Sequence, residues 1–177
     1  MIRGSVLGIG IGVAVGCGAV AAPVGAASRA FEGAWIWDPA QYVAPFGAQP
    51  GVAMARETLL VAHDDGRHWA ARIEQVYTDG RALTYAEDFP EDGELHRAGR
   101  GADAMMVAVA AMGDGGRRMI SYRFGNIHDG TCYVSGGGMT LSCSGTDKQP
   151  DGTAGRFLCV YHRDPYTVPV EVAPVAP

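Results

Sequence analysis

The densest group of reactive side-chain types in the chain is His63-Asp64-Asp65-Gly66-Arg67-His68. Two imidazoles around two carboxylates make a donor set that suits a transition metal. The spacing argues against it. Asp-Asp-Gly is turn chemistry, because Asp and Gly accept the positive φ of a tight hairpin, and a flexible turn fixes ligand geometry poorly. No metal and no other cofactor is therefore expected. Asp88, Glu91, Asp92 and Glu94 offer paired carboxylates of the kind used in glycoside hydrolysis. They stand in a uniformly acidic stretch, and nothing in the sequence buries one of them to raise its pKa. His128-Asp129 ahead of Cys132 suggests an activated thiol, which needs an electropositive and accessible setting. Cys132 instead falls in a strand-like run that faces other cysteines. Ser121, Ser135, Ser142 and Ser144 lack the strained elbow of a nucleophilic serine. With no catalytic constellation in the sequence, the chain is not expected to be an enzyme.

The elements that carry these residues read as short period-two runs separated by Gly and Asp turns, the pattern of antiparallel β structure. Strands are expected over residues 33–37, 57–63, 67–77, 82–87, 105–112, 118–124, 131–135, 139–145 and 156–162. Asp88 to Asp103 is acidic, Gly-rich and without periodicity, and reads as a long exposed loop; Gln41 to Val52 reads as another. On the third run Trp69, Ala71 and Ile73 share a face. On the sixth, Ile120, Tyr122 and Phe124 are expected to point inward. A turn at Gly137-Gly138 sets Ser135 against Thr140, Val134 against Leu141 and Cys132 against Cys143. Each face of that hairpin is then chemically uniform, which supports the register. Nine sequential strands with exposed edges tend to close on themselves. The expected fold is all-β, an up-and-down antiparallel barrel of eight or nine strands, with a flattened sandwich as the other architecture.

The amino terminus sets the compartment. Met1-Ile2-Arg3-Gly4-Ser5 carries one positive charge, an apolar run follows from Val6 to Val24, and small residues cluster at Gly25-Ala26-Ala27-Ser28. That order is a secretory signal, with cleavage placed near Ala26 or Ala27. The organisation is then a signal peptide over 1–27, one barrel domain over 28–165 and a Pro/Val-rich extended tail over 166–177. Two other readings stay open. The run is long enough for a retained anchor, although five glycines weaken it. Gly16-Cys17 also fits a lipoprotein signal, in which Cys17 is acylated and kept. A periplasmic or secreted protein is expected, at the membrane only if Cys17 is lipidated or the signal is retained.

Export explains the cysteines. Cys132, Cys143 and Cys159 remain once the leader is removed, and in an oxidising compartment two of them should pair. Cys132–Cys143 is preferred, on what the register makes a hydrogen-bonded strand pair; Cys143–Cys159 is the alternative. Loss of Arg3 takes the formal charge from −5 to −6. The basic residues form no patch, so nucleic acid is not an expected partner.

At the first strand, Gly33-Ala34-Trp35 resembles the Gly-x-Trp that opens lipocalin-like (calycin-type) barrels. The stretch from Gly33 to Ala40, with Cys132-Tyr133-Val134-Ser135, Met139 to Asp147 and Val160-Tyr161-His162-Arg163, is similar to the two ends of a group of small exported bacterial proteins of that kind, largely uncharacterised. In such barrels the opening Trp closes one end beneath a basic residue from near the last strand. The resemblance therefore implies that Trp35 and Arg163 form that pair, a contact of about 0.5–2 kcal/mol.

Two functions compete. One is a barrel that binds a small apolar or amphipathic molecule, with Trp35, Trp69, Ile73, Met105, Val107, Ile120, Tyr122 and Phe124 as interior candidates. The other is a protein-binding module of the cell envelope, an inhibitor or assembly partner, with its barrel filled by side chains. An internal cavity favours the first.

Overall fold

Alternation and turn chemistry together produce ten antiparallel strands. The computed structural model of the chain describes residues 29–47, 53–101 and 104–167. The leader with Cys17, the cleavage region and nearly all of the tail lie outside the described residues. The strands are β1 (Gly33–Trp37), β2 (Met54–Asp64), β3 (His68–Tyr77), β4 (Ala82–Pro90), β5 (His96–Ala98), β6 (Met105–Ala111), β7 (Arg117–Arg123), β8 (Asn126–Ser135), β9 (Thr140–Lys148) and β10 (Ala154–Asp164). Among the described residues the helical segments are short 3-10 turns.

The strands form a single sheet in the order β4-β3-β2-β1-β10-β9-β8-β7-β6-β5. Apart from the β1–β10 pairing, all neighbours in it are sequential. Trp35 lies opposite Arg163 where the first strand meets the last. The edges, β4 and β5, are consecutive in the chain and pack against each other without a ladder. The result is an up-and-down barrel, nearly closed. Its strand count is ten rather than eight or nine, and the addition is β5. That strand lies in the stretch expected to be an exposed loop, and β4 runs on into the same stretch. Phe89 and Ala98 there are buried. Three residues are too few to display a period of two, so composition alone hid the strand.

The hairpin register is the expected one, with Cys132 opposite Cys143 and Val134 opposite Leu141. A disulfide joins Cys132 to Cys143. Its Cα–Cα separation is 4.1 Å, the narrow spacing of a non-hydrogen-bonded pair rather than the wide one of about 5.5 Å expected for a hydrogen-bonded pair. Cys159 on β10 faces Cys143 from the other side and stays a free thiol.

A second departure concerns parity. Side chains alternate inward and outward along a strand. On β2, Glu57, Leu59 and Val61 are buried. A bulge between Val61 and His63 then shifts the pairing. The extra residue resets the alternation, so Asp64, and not His63, turns into the barrel.

Candidate functional site

The barrel interior has two levels. The first is the end where β2 meets β3 and β9 meets β8. Arg29–Phe31 forms a 3-10 turn, whose Phe31 packs edge-on to Trp69 with ring centroids 6.3 Å apart. Trp35 and Trp69 are fully buried. Trp35 Nε1 donates to Phe31 O at 2.7 Å. Arg163 lies 4.2 Å above the Trp35 ring and donates to the carbonyls of Gly138 (2.5 Å), Glu32 (2.5 Å) and Ala30 (2.7 Å). Gly33 makes room for it: its φ is +137°, and a Cβ there would collide with the guanidinium.

Beside this stack sits a buried ionic triad. Arg117 Nε donates to Asp64 Oδ1 at 2.8 Å and lies 2.7 Å from Glu91 Oε2. Gly66 N donates to Glu91 Oε1 at 3.2 Å, and Arg117 stacks 5.2 Å over Phe31. Burial raises the pKa of both carboxyls, opposed by the Arg117 charge. For Glu91 the neighbouring Asp64 charge adds to the rise. Sequence reasoning placed Asp64 in a turn and Glu91 in a solvated loop with nothing to raise its pKa. Both placements are corrected, since Asp64 is 0% exposed and Glu91 9%. The bulge on β2 hid the first and the extension of β4 toward Glu91 hid the second.

The second level holds a cavity of about 370 Å³, within the range that takes small ligands. One wall is polar. From β2, β3 and β4 come Glu57, Gln75, Tyr77, Tyr85 and Glu87, joined by Tyr161 from β10. Tyr161 Oη donates to Glu57 Oε1 at 2.6 Å and Gln75 Nε2 to Glu57 Oε2 at 2.6 Å. Tyr77 Oη donates to Gln75 Oε1 at 2.9 Å. One level deeper, Trp69 Nε1 donates to Glu87 Oε2 at 2.7 Å. Burial pushes the Glu87 carboxyl up to about 7, the Glu57 charge adds to the rise, and the Trp69 hydrogen bond opposes it. Tyr85 and Tyr161 are pushed well above the ordinary phenol value, first by burial. The facing wall is apolar and rich in sulfur, with Met105, Val107, Met119, Phe157 and the cysteine row. Burial, with the Glu57 and Asp147 charges, raises the Cys159 thiol to about 12, which keeps it protonated and unreactive. Gly130 leaves the space that the Phe157 ring fills, since a Cβ there would stand 2.6 Å from Cζ.

The interior candidates divide. Ile73, Met105 and Val107 line the cavity. Trp35 and Trp69 belong to the closed end. Tyr122 and Phe124 do not point inward: they are 46% and 73% exposed and line a shallow outer groove with Arg97 and Met106. Ile120 shares their parity and pairs with Asp129, whose carboxylate is held on the outer face by Arg118, yet it is half-buried and also borders the cavity. The inward residues of β7 are Arg117, Met119, Ser121 and Arg123. Arg117 fixes that parity, because its charge has partners only inside. Of the histidine cluster, His63 Nε2 lies 3.2 Å from Asp65 and His68 Nε2 2.7 Å from Asp88. His63 Nδ1 also lies 3.9 Å from Glu32 Oε1 and its ring 5.7 Å from that of His68, and Asp64 is withdrawn from these surface contacts.

No protein-family model matches the chain, and no curated protein matches it. Among solved structures, two mutants of the fluorescent protein UnaG are similar in fold. Each is 17% identical with a TM-score of 0.47; they cover 75% and 76% of this chain and 95% and 96% of their own. The fold of this chain rests on its own strand ladder.

Proposed function

We propose that this protein is an exported, non-enzymatic barrel that binds a small apolar or amphipathic molecule in the cavity between β2–β4 and β6–β10. The observation that carries this reading is the cavity itself. A barrel built only as a scaffold fills its interior with side chains. Here side chains fill the interior at one end, and about 370 Å³ remains at the other, lined by apolar residues with a few placed polar groups, as small-molecule sites are. The Cys132–Cys143 disulfide and the leader-like amino terminus support export.

Isothermal titration with n-decanol, a neutral amphiphile, tests the reading. One saturable site per chain is expected, and Val107→Trp, which fills the cavity, should abolish it while the barrel still unfolds cooperatively. No binding across a series of fatty alcohols from six to twelve carbons would overturn it.

A further inference from the structure

The cavity has an uneven chemistry that narrows its ligand. Its buried acids are Glu57 and Glu87, 8% and 4% exposed. The donors that meet them are neutral: Tyr161 and Gln75 on Glu57, Trp69 on Glu87. Both oxygens of Glu57 are occupied. Glu87 accepts at Oε2, and no donor among the described residues hydrogen-bonds its Oε1. Of the cations on the cavity wall, Arg123 stacks 4.9 Å from the Phe124 ring at the end of β7, and His128 lies 2.5 Å from Asp147 and stacks on Phe157. A carboxylate buried without a countercharge is costly, and a cation that reaches it removes much of that cost.

We propose that the ligand is a monocationic amphiphile, whose amine reaches Glu87 at the deep end of the polar wall while its apolar body lies against Met105, Val107, Met119 and Phe157. This rests on the ligand-binding reading and deepens it. The ammonium supplies a charge-assisted hydrogen bond to Glu87 Oε1, the oxygen with no donor among the described residues. Phe157 and the methionines accept a flexible or flat apolar body, methionine being adaptable in shape and polarizable. The volume bounds the size. At about 30 Å³ per water-sized group, the cavity holds about a dozen heavy atoms.

The test uses three ligands of one chain length, n-decylamine, n-decanol and decanoate, titrated into the mature protein at pH 8 by calorimetry. Decylamine should bind about tenfold more tightly than decanol, with decanoate weakest. Glu87→Gln should bring decylamine down to the affinity of decanol while decanol binding persists, which also reports that the variant is folded. Should the variant not fold, the head-group order in the unaltered protein still decides. Decanol or decanoate binding as tightly as decylamine, or a preference that survives Glu87→Gln, overturns this inference and leaves the ligand-binding reading standing. Binding of none of the three overturns both.

Discussion

The closed end and the cavity end of this barrel are built by the same strands, with the same inward alternation, and each buries two carboxylates. They differ in what answers the charge. At the closed end Asp64 and Glu91 share the Arg117 guanidinium, under an aromatic roof of Phe31, Trp35 and Trp69. At the cavity end Glu57 and Glu87 meet only neutral hydroxyl, amide and indole donors among the described hydrogen bonds. The first arrangement answers both acids with one cation, although Asp64 Oδ2 and Glu91 Oε2 are buried without a hydrogen-bond donor among the described residues. The second sets an acid beside the cavity. Buried acids that share a cation organise structure, whereas buried acids short of one mark a place where something arrives.

The largest effect should come from removing the answering charge at the closed end. Arg117→Ala leaves Asp64 and Glu91 buried without a cation and should cost about 3–5 kcal/mol in urea unfolding followed by tryptophan fluorescence. A cost below about 1 kcal/mol would mean that the triad is not what organises that end, and the contrast would fail.

The next effect lies on the cavity wall. Cys132 and Cys143 both border the cavity and pack with the core cluster. Reducing their bond frees an 11-residue separation and should lower stability by about 2–4 kcal/mol. Cys159→Ser should change stability by about 1 kcal/mol or less, because the protonated thiol has no disulfide role. Melting curves with and without reductant measure both. An equal loss from Cys159→Ser would show that Cys159 competes for Cys143.

A third effect separates the ends by pH. The folded pKa of Glu87 is about 7, above its ordinary value of 4.5. Its protonated form therefore favours the fold. That contribution is complete below pH 4.5 and is lost as pH rises to about 7, so stability should fall across this window. Glu87→Gln keeps the Trp69 contact and removes the titration. At pH 8 it should be about 1–3 kcal/mol more stable than the parent, with a shallower fall from pH 5 to 8. Part of the fall should remain, because Glu91 at the closed end is raised in the same direction. A variant that is less stable at pH 8 would place Glu87 in a stabilising ionic contact and erase the distinction.

What the sequence shows of this molecule follows from the same contrast. The register of the β8–β9 hairpin was legible, since its two faces are chemically pure and Cys132, Val134, Leu141 and Cys143 can share only one of them, although β8 starts at Asn126, five residues before the expected strand. The Trp69-Ala71-Ile73 face of β3 was legible for the same reason. The inward face of β7 was not. Ile120, Tyr122 and Phe124 are the apolar set, and reading by hydropathy assumes an apolar interior. This interior demanded Arg117 for the triad, and parity carried Met119, Ser121 and Arg123 in with it. Asp64 was hidden by one bulge residue and Glu91 by a composition that reads as solvated; Glu87 falls at the end of the strand expected over 82–87, where no pattern marks a buried acid. The candidate site was the least legible region because its defining residues are polar residues in places where sequence pattern expects none.

The smallest effect tests whether the outer face matters at all. Phe124 and Gly125 form the two-residue turn between Arg123 and Asn126, with φ of 52° and 81°. Two positive φ values define the turn that favours Asn-Gly. A phenylalanine there is strained, because its Cβ crowds the backbone in the left-handed region, at about 1–2 kcal/mol. Part of this is offset by the Arg123 stack on its ring, worth about 0.5–1 kcal/mol at an exposed site. Phe124→Asn should therefore raise stability by about 0.5 kcal/mol and leave decanol affinity unchanged. Thermal unfolding and the same calorimetric titration check both. Lost affinity in a stable variant would move the recognition surface from the cavity to the outer groove of Tyr122 and Phe124, and the interior contrast would then describe folding alone.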